Sequence, residues 1–259
     1  MISLLILAFR NQWSAQMKKP FEFLTGLFVL ILNNSFYLYG IYLLAILSTD
    51  DNPIAAKEYL VSTGIVLTSW GLLNVFGGGL YQLGSLIETG ELDAYLAKPR
   101  PTLLLVAISK SHLMSFGEIL QGVITIFVAS ILNGPIFGVR MLAVSAIMVF
   151  AFASVFILIG SISFFSSRGS QISYVILQAL LSLSLFPVTR ALKGREKWIL
   201  YFSPLLITAT LPRLVVLQGG LTTFVSFIVA TLLFLFMGMC FFKFGLKSYK
   251  AKNYIFIND

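Results

Sequence analysis

Residues that could perform acid–base, metal or nucleophilic chemistry are few in this sequence. It contains one histidine, His112, and one cysteine, Cys240, which excludes a histidine metal site, a cysteine cluster and a disulfide framework. Glu118 lies about two helical turns after Lys110, and no paired carboxylates or Ser/His/Asp set stand out. We therefore expect no catalytic residue, no metal ligand and no enzyme activity in the chain itself.

The glycine-rich stretches do not form a nucleotide-binding loop. Gly77-Gly78-Gly79 and Gly219-Gly220 are not followed by lysine, whereas a phosphate-binding loop needs Gly-x-x-x-x-Gly-Lys-Ser/Thr. Such runs are typical of helix flexibility or close helix packing. We expect no cofactor in this chain, so any use of ATP would require another subunit.

Several polar side chains lie inside long apolar segments, where they are costly. They could line a translocation path, or they could join helices to each other, which is the commoner role. For Glu118 the alternatives are a substrate path or pairing with a polar neighbour near the interface, and we favour the second. The candidates for a path are Asn33, Asn34, Tyr37, Asn74, Glu118, Gln121 and Gln178.

Composition places nearly the whole chain in a membrane. Of its 259 residues, 58% are hydrophobic and 11% are charged, against about 25% charged in an average soluble domain. The net charge of +8 comes from residues at the edges of apolar runs. This pattern favours an anionic membrane surface over nucleic acid as the partner.

Apolar segments of about 20 residues predict an all-α integral membrane protein with one transmembrane domain over 1–259. Residues 1–19 have helical amphipathic spacing and predict an interfacial helix, the alternative being a frayed terminus. Segment 198–218 contains Pro204, Pro212 and Arg213, and we expect a re-entrant or interfacial hairpin there before the last span. The six predicted spans are 21–47, 59–83, 102–132, 141–165, 171–188 and 221–243.

The distribution of positive charge predicts that both termini are cytoplasmic. An even number of spans keeps the basic residues near both ends on one side, as the positive-inside rule favours. In this orientation eleven Lys and Arg residues are inside and seven outside, although the cluster from Arg190 to Lys197 opposes it.

The longest charged break in the first half of the chain is 88–101, which this orientation places in the cytoplasm. Glu91 and Asp93 suit the first turn of a short helix beginning at Thr89 or Gly90. Leu92, Tyr95 and Leu96 have the spacing of an apolar helix face, and Pro99 and Pro101 end the helix. Such an element could dock a partner, and on spacing alone an ordinary polar loop is the alternative.

The pattern Glu88-x-Gly90-Glu91-Leu92-Asp93-x-x-Leu96-x-Lys98-Pro99 resembles the signature of the type-2 ABC transporter permeases, the six-span membrane subunits of exporters. Phe186-Pro187, Phe202-Ser203-Pro204 and Leu211-Pro212 resemble the proline-marked segment before the family's last span. Gly245-Leu246-Lys247-Ser248-Tyr249-Lys250 resembles its Gly-x-x-x-Tyr tail. Ser203-Pro204 and Leu211-Pro212-Arg213 depart from the family's Ile-Pro and Tyr-Pro-Ala-like steps.

The resemblance implies half of an exporter in a bacterial cytoplasmic membrane. A second permease, identical or homologous, and two cytosolic ATPase subunits holding ATP and magnesium would complete it. Segment 1–19 would be the connecting helix and 88–97 the coupling helix. Its coupling residues would be Glu88, Gly90, Glu91, Leu92, Asp93, Tyr95, Leu96 and Pro99.

Two other classes of function remain open on the sequence. An ion-coupled secondary transporter needs charged residues that converge at mid-membrane, where this chain offers only Glu118. A non-transport membrane protein is the other alternative. The sequence does not indicate the transported substrate.

Overall fold

The computed structural model describes residues 10, 13–14, 17–47, 52–166, 168–186 and 203–257. In these ranges the chain forms helices and turns without a strand, and the predicted all-α membrane architecture is confirmed. Most of the predicted interfacial helix at 1–19, the cluster from Arg190 to Lys197, and the Pro187 and Phe202 motif positions lie outside the described residues.

The described ranges contain ten α-helices in chain order, together with shorter turns. Single 3₁₀ turns at Gly78–Leu80, Leu113–Ser115 and Ser161–Phe164, and a π-helical turn at Leu206–Thr210, lie between them. The helices are α1 (Pro20–Leu47), α2 (Asn52–Gly77), α3 (Leu83–Glu88), α4 (Asp93–Leu96), α5 (Thr102–Ala107), α6 (Phe116–Asn133), α7 (Pro135–Gly160), α8 (Gly169–Leu185), α9 (Leu211–Gln218) and α10 (Leu221–Ile257).

Five segments of the described chain are long and apolar enough to cross a membrane. They are Pro20–Leu44, Ile54–Glu88, Leu113–Asn133, Pro135–Phe164 and Leu221–Tyr249. The predicted fifth span, 171–188, corresponds to α8, an apolar helix of 17 residues. The predicted third span, 102–132, is interrupted between Ala107 and Leu113, so its membrane-crossing part begins only at Leu113.

Helix α2 is the centre of the bundle, because 83% of its most apolar window is buried inside the chain. Glycines let α6 approach it closely. A Cβ atom on Gly71 would lie 2.9 Å from the backbone nitrogen of Ile119, and one on Gly122 would lie 2.5 Å from that of Thr68. Side chains at these two positions would push α2 and α6 apart.

An aromatic cluster joins α2 to α7. The Trp70 ring makes edge contacts with Phe152 and Phe156 at centroid distances of 5.5 and 5.2 Å, and with Tyr81 at 5.8 Å. Each such pair contributes about 0.5–1.5 kcal/mol beyond the burial of its surface. The cluster fixes the end of α2 from which α3 and α4 continue.

The segment before the last span is helical and buried in its described part. Pro212 lies in the first turn of α9, directly after the π-helical turn Leu206–Thr210. Arg213 is 2% exposed and donates from Nε to Ser62 Oγ and from Nη2 to the carbonyl oxygen of Phe186, both at 2.9 Å. Arg213 thus anchors this segment to α2 and to the end of α8.

Candidate functional site

The charged segment after α2 folds into a tight turn between two short helices. Helix α3 ends at Glu88, and Gly90 has a φ of +77°, a left-handed conformation typical of the residue that ends a helix. The N–H of Leu92 then donates to the carbonyl oxygen of Leu86 at 3.0 Å. The second helix begins at Asp93 rather than at Thr89 or Gly90, because Gly90 interrupts the helical path.

Leu92 fixes this segment to its own subunit. Its side chain is 0% exposed and belongs to the main hydrophobic core, against which Tyr95 and Leu96 also pack while half-buried. The apolar face predicted for the segment therefore points mainly into the chain. Leu92 holds the segment in place and is not available as a contact for another protein.

The outward face of the segment is acidic, with a basic edge. Glu91 and Asp93 are exposed, and Glu88 accepts a hydrogen bond from Ser170 at the start of α8. Lys98 is exposed and places its Nζ atom 5.2 Å from the centre of the Tyr95 ring. Pro99 is exposed as well. These charges are available to fix the orientation of a partner.

The C-terminal motif lies at the same end of the bundle. Tyr249 and Phe242 pack their rings on Phe164 at centroid distances of 5.7 and 5.5 Å, and a Cβ atom on Gly245 would collide with the Phe164 ring. The same 3₁₀ turn, at Ser163, packs against Gly84 of α3. The two separate motifs of the sequence are thus joined through the turn Ser161–Phe164.

Three of the polar residues predicted to line a path make contacts inside the chain. Tyr37 donates its hydroxyl proton to Ser182 Oγ at 2.6 Å, which joins α1 to α8. Gln178 donates from Nε2 to the Tyr81 hydroxyl at 2.9 Å. Asn74 donates to the carbonyl oxygen of Trp70 within its own helix at 3.1 Å. These residues join or brace helices at separate places and do not form one lining.

The remaining candidates divide between surface and interior. Asn33 is exposed on α1, and Asn34 and Glu118 are half-buried. Within the described structure, Glu118 Oε2 is buried and has no hydrogen-bond partner. No group of three or more His, Cys, Asp or Glu residues there could hold a metal ion.

Gln121 borders an open crevice of about 460 Å³ between α1, α2 and α6. Its Nε2 atom donates to the carbonyl oxygen of Ile31 and to Ser35 Oγ, both at 3.0 Å. Tyr59, Thr63 and Thr125 also line the crevice and were not among the predicted path residues. Tyr59 and Thr63, like Gln121 and Thr125, have the i, i+4 spacing that places side chains on one helix face.

Comparison with known families gives one match, and a search of curated proteins gives none. The sequence pattern of a family described as ABC-2 family transporter protein matches residues 53–253. The matched range contains the segment 88–101, the proline-marked segment, and the Gly245–Tyr249 motif at its end. It begins after α1.

Proposed function

Because the chain belongs to the ABC-2 transporter family, as a multi-pass membrane protein with a permease role, we propose that separate cytosolic ATPase subunits drive it by docking on the segment 88–101. The observation that carries this proposal is the rigid attachment of an acidic surface. Leu92 is buried in the core while Glu91 and Asp93 remain exposed. A force applied to the segment therefore reaches the bundle.

ATP would bind and be hydrolysed in the partner subunits, with magnesium held there. The docking surface has to transmit a bias of a few kcal/mol between two conformations, which is the scale on which ligands shift conformational populations. The charges Glu91, Asp93 and Lys98 set the register of docking. The buried contacts of Leu92 and Tyr95 transmit the resulting displacement to α2.

A second permease subunit would cover the first span. Only 6% of the most apolar window of α1 is buried inside the chain, and Asn33 is exposed along it. An asparagine facing lipid is unfavourable, whereas one facing another subunit can find a hydrogen-bond partner. This supports a pair of permeases in contact along α1. The resemblance described above adds the proposal that the pair works as an exporter in a bacterial cytoplasmic membrane.

Co-purification tests the docking surface. The double variant Glu91→Lys with Asp93→Lys should lower recovery of the ATPase with the tagged permease at least tenfold, because it inverts the exposed charge of the segment. The matched control is Glu22→Lys, which inverts an exposed acid of α1 outside the segment. Wild-type recovery of the ATPase with the double variant would contradict the proposal.

Cysteine labelling tests the orientation. In a Cys240→Ser background, Tyr95→Cys should react with a membrane-impermeant maleimide only after the cells are opened. A cysteine at Ile136, which is exposed directly after the turn between α6 and α7, should react in intact cells. Labelling of Tyr95→Cys from outside intact cells would place the segment on the wrong side for a cytosolic ATPase.

A further inference from the structure

The crevice between α1, α2 and α6 contains two buried polar atoms that the described structure leaves without a hydrogen-bond partner, Gln121 Oε1 and Thr63 Oγ1. Thr63 is 3% exposed. Its hydroxyl lies beside the Tyr59 oxygen, which could accept from it, but the contact does not have the geometry of a hydrogen bond. The Tyr59 hydroxyl donates its own proton to the carbonyl oxygen of Leu38 at 2.6 Å. Buried polar groups are normally satisfied, so two unsatisfied atoms on one crevice indicate a ligand that completes them.

The orientation of Gln121 is fixed by its neighbours. Its Nε2 atom donates to both Ile31 and Ser35 of α1, so its buried carbonyl oxygen is left as an acceptor without a partner in the described structure. Thr63 can donate or accept. A molecule that satisfies both residues needs a hydrogen-bond donor for Gln121 and a second polar group for Thr63.

The rest of the lining defines the class of that molecule. None of the described residues that line the crevice carries a charge, and the polar groups are hydroxyls and one amide. A charged head group would lose its hydration here without a compensating partner. Aromatic and aliphatic side chains provide the remaining surface, namely Ile31, Leu38, Tyr39, Tyr42, Leu60 and Ile124.

We propose that this crevice binds the hydroxylated head of an uncharged amphiphile, with the hydrocarbon chain leaving along α1 toward the lipid. The volume of about 460 Å³ lies within the roughly 300–1,000 Å³ of ordinary ligand sites. Binding at this site does not require the ATPase to be present. The assignment of the amphiphile as transported cargo rests on the proposed permease function.

Photolabelling of the purified permease in phosphatidylcholine nanodiscs, without an ATPase, tests the site. The probe is a monoacylglycerol whose diazirine is on the acyl carbons next to the glycerol head. Adducts should concentrate at 31–42, 59–63 and 121–125. Unlabelled monoacylglycerol should compete at least tenfold better than a lysophosphatidic acid or an alkylamine of equal chain length. Equal competition by all three would refute the proposed class of ligand.

The variant Thr63→Val separates a ligand-binding role from a structural one. It keeps the shape of the side chain and removes a hydroxyl that has no partner, so the melting temperature should stay equal or rise. Affinity for the probe should nevertheless fall about five- to tenfold, the value of one net hydrogen bond. Unchanged labelling would show ordinary lipid contact and overturn the proposal.

The matched control is Thr231→Val. Thr231 is also buried with an unpartnered hydroxyl among the described residues, but it lies on α10 and does not line the crevice. Its replacement should leave labelling unchanged. If Thr63→Val does not fold, the competition between the three unlabelled amphiphiles on the unaltered protein still tests the proposed class of ligand. Failure of the ATPase to co-purify would refute the proposed function while leaving the labelling result intact.

Discussion

Replacing Leu92 by alanine tests whether the docking segment is fixed by its own subunit before a partner arrives. The side chain is fully buried in the main core, and truncating such a leucine costs about 2–5 kcal/mol. Helix α4 has only four residues, too few to be stable without this anchor. The population of the detached segment should therefore rise roughly 30-fold or more, since each 1.4 kcal/mol is a factor of ten.

Hydrogen exchange by mass spectrometry measures this population directly. The N–H of Leu92 is bonded to Leu86, and the N–H of Leu96 is bonded to the carbonyl oxygen of Leu92 at 3.1 Å. In Leu92→Ala, with the permease alone in nanodiscs, the backbone amides of residue 92 and of Leu96 should both exchange roughly 30-fold faster than in the wild type. The exposed neighbour provides the control, because Glu91→Ala should leave both rates unchanged.

The two variants should nevertheless share one defect. Both should recover less ATPase, Leu92→Ala because the segment is displaced and Glu91→Ala because a docking charge is missing. Wild-type protection of the Leu96 amide in Leu92→Ala would refute the role of Leu92 as an anchor. The segment would then be held mainly by Tyr95 and Leu96.

The remaining predictions concern how the segments are held to the bundle. Arg213→Lys should lower the free energy of unfolding by about 2–4 kcal/mol, because the single lysine nitrogen does not reproduce the two separate donors that bond Ser62 and the Phe186 carbonyl. A thermal melt measures this change. The control is Arg168→Lys at an exposed position, whose free energy of unfolding should stay within about 0.5 kcal/mol of the wild type. Gly245→Ala should be destabilising in the same assay, although alanine is favoured over glycine in a helix by about 1 kcal/mol, because the new methyl group meets the Phe164 ring. Gly40→Ala, whose added methyl group meets no atom of the chain, should be neutral or stabilising, and equal effects of the two glycine changes would contradict the close approach at Phe164.

Hydropathy predicted the parts of the fold that depend on the bilayer. The span 21–47 corresponds to α1, and 221–243 lies within α10. The predicted start of the third span differs from the structure, because contacts inside the chain determine where that span begins. Gly78 and Gly79 pack on the backbone of the chain around Val106 and Lys110, so the apolar stretch from 102 turns before it enters the membrane.

The candidate site was less predictable, because sequence spacing does not show which face of a short helix is inward. Leu92 has the same i, i+3 relation to Tyr95 whether that face meets the core or a partner. Arg213 lies in the segment predicted as a re-entrant or interfacial hairpin, and the sequence did not indicate its buried partners. Its partners Ser62 and Phe186 are 151 and 27 residues away, and no local pattern shows such contacts.

One continuous segment, Ile54–Glu88, connects the crevice to the docking surface. Thr63 lies near one end of it and Leu86, which bonds Leu92, near the other. The contact of Gly79 with Val106 and the Trp70 cluster stiffen the junction after α2. A displacement of the docking segment should then move one wall of the crevice.

Binding of the ATPase should accordingly change monoacylglycerol photolabelling at 59–63 in the wild type by at least twofold. The same addition at saturating ATPase should have a smaller effect in Leu92→Ala, because its segment is held more weakly to the bundle. Equal labelling with and without bound ATPase in the wild type would show that the two sites are mechanically independent.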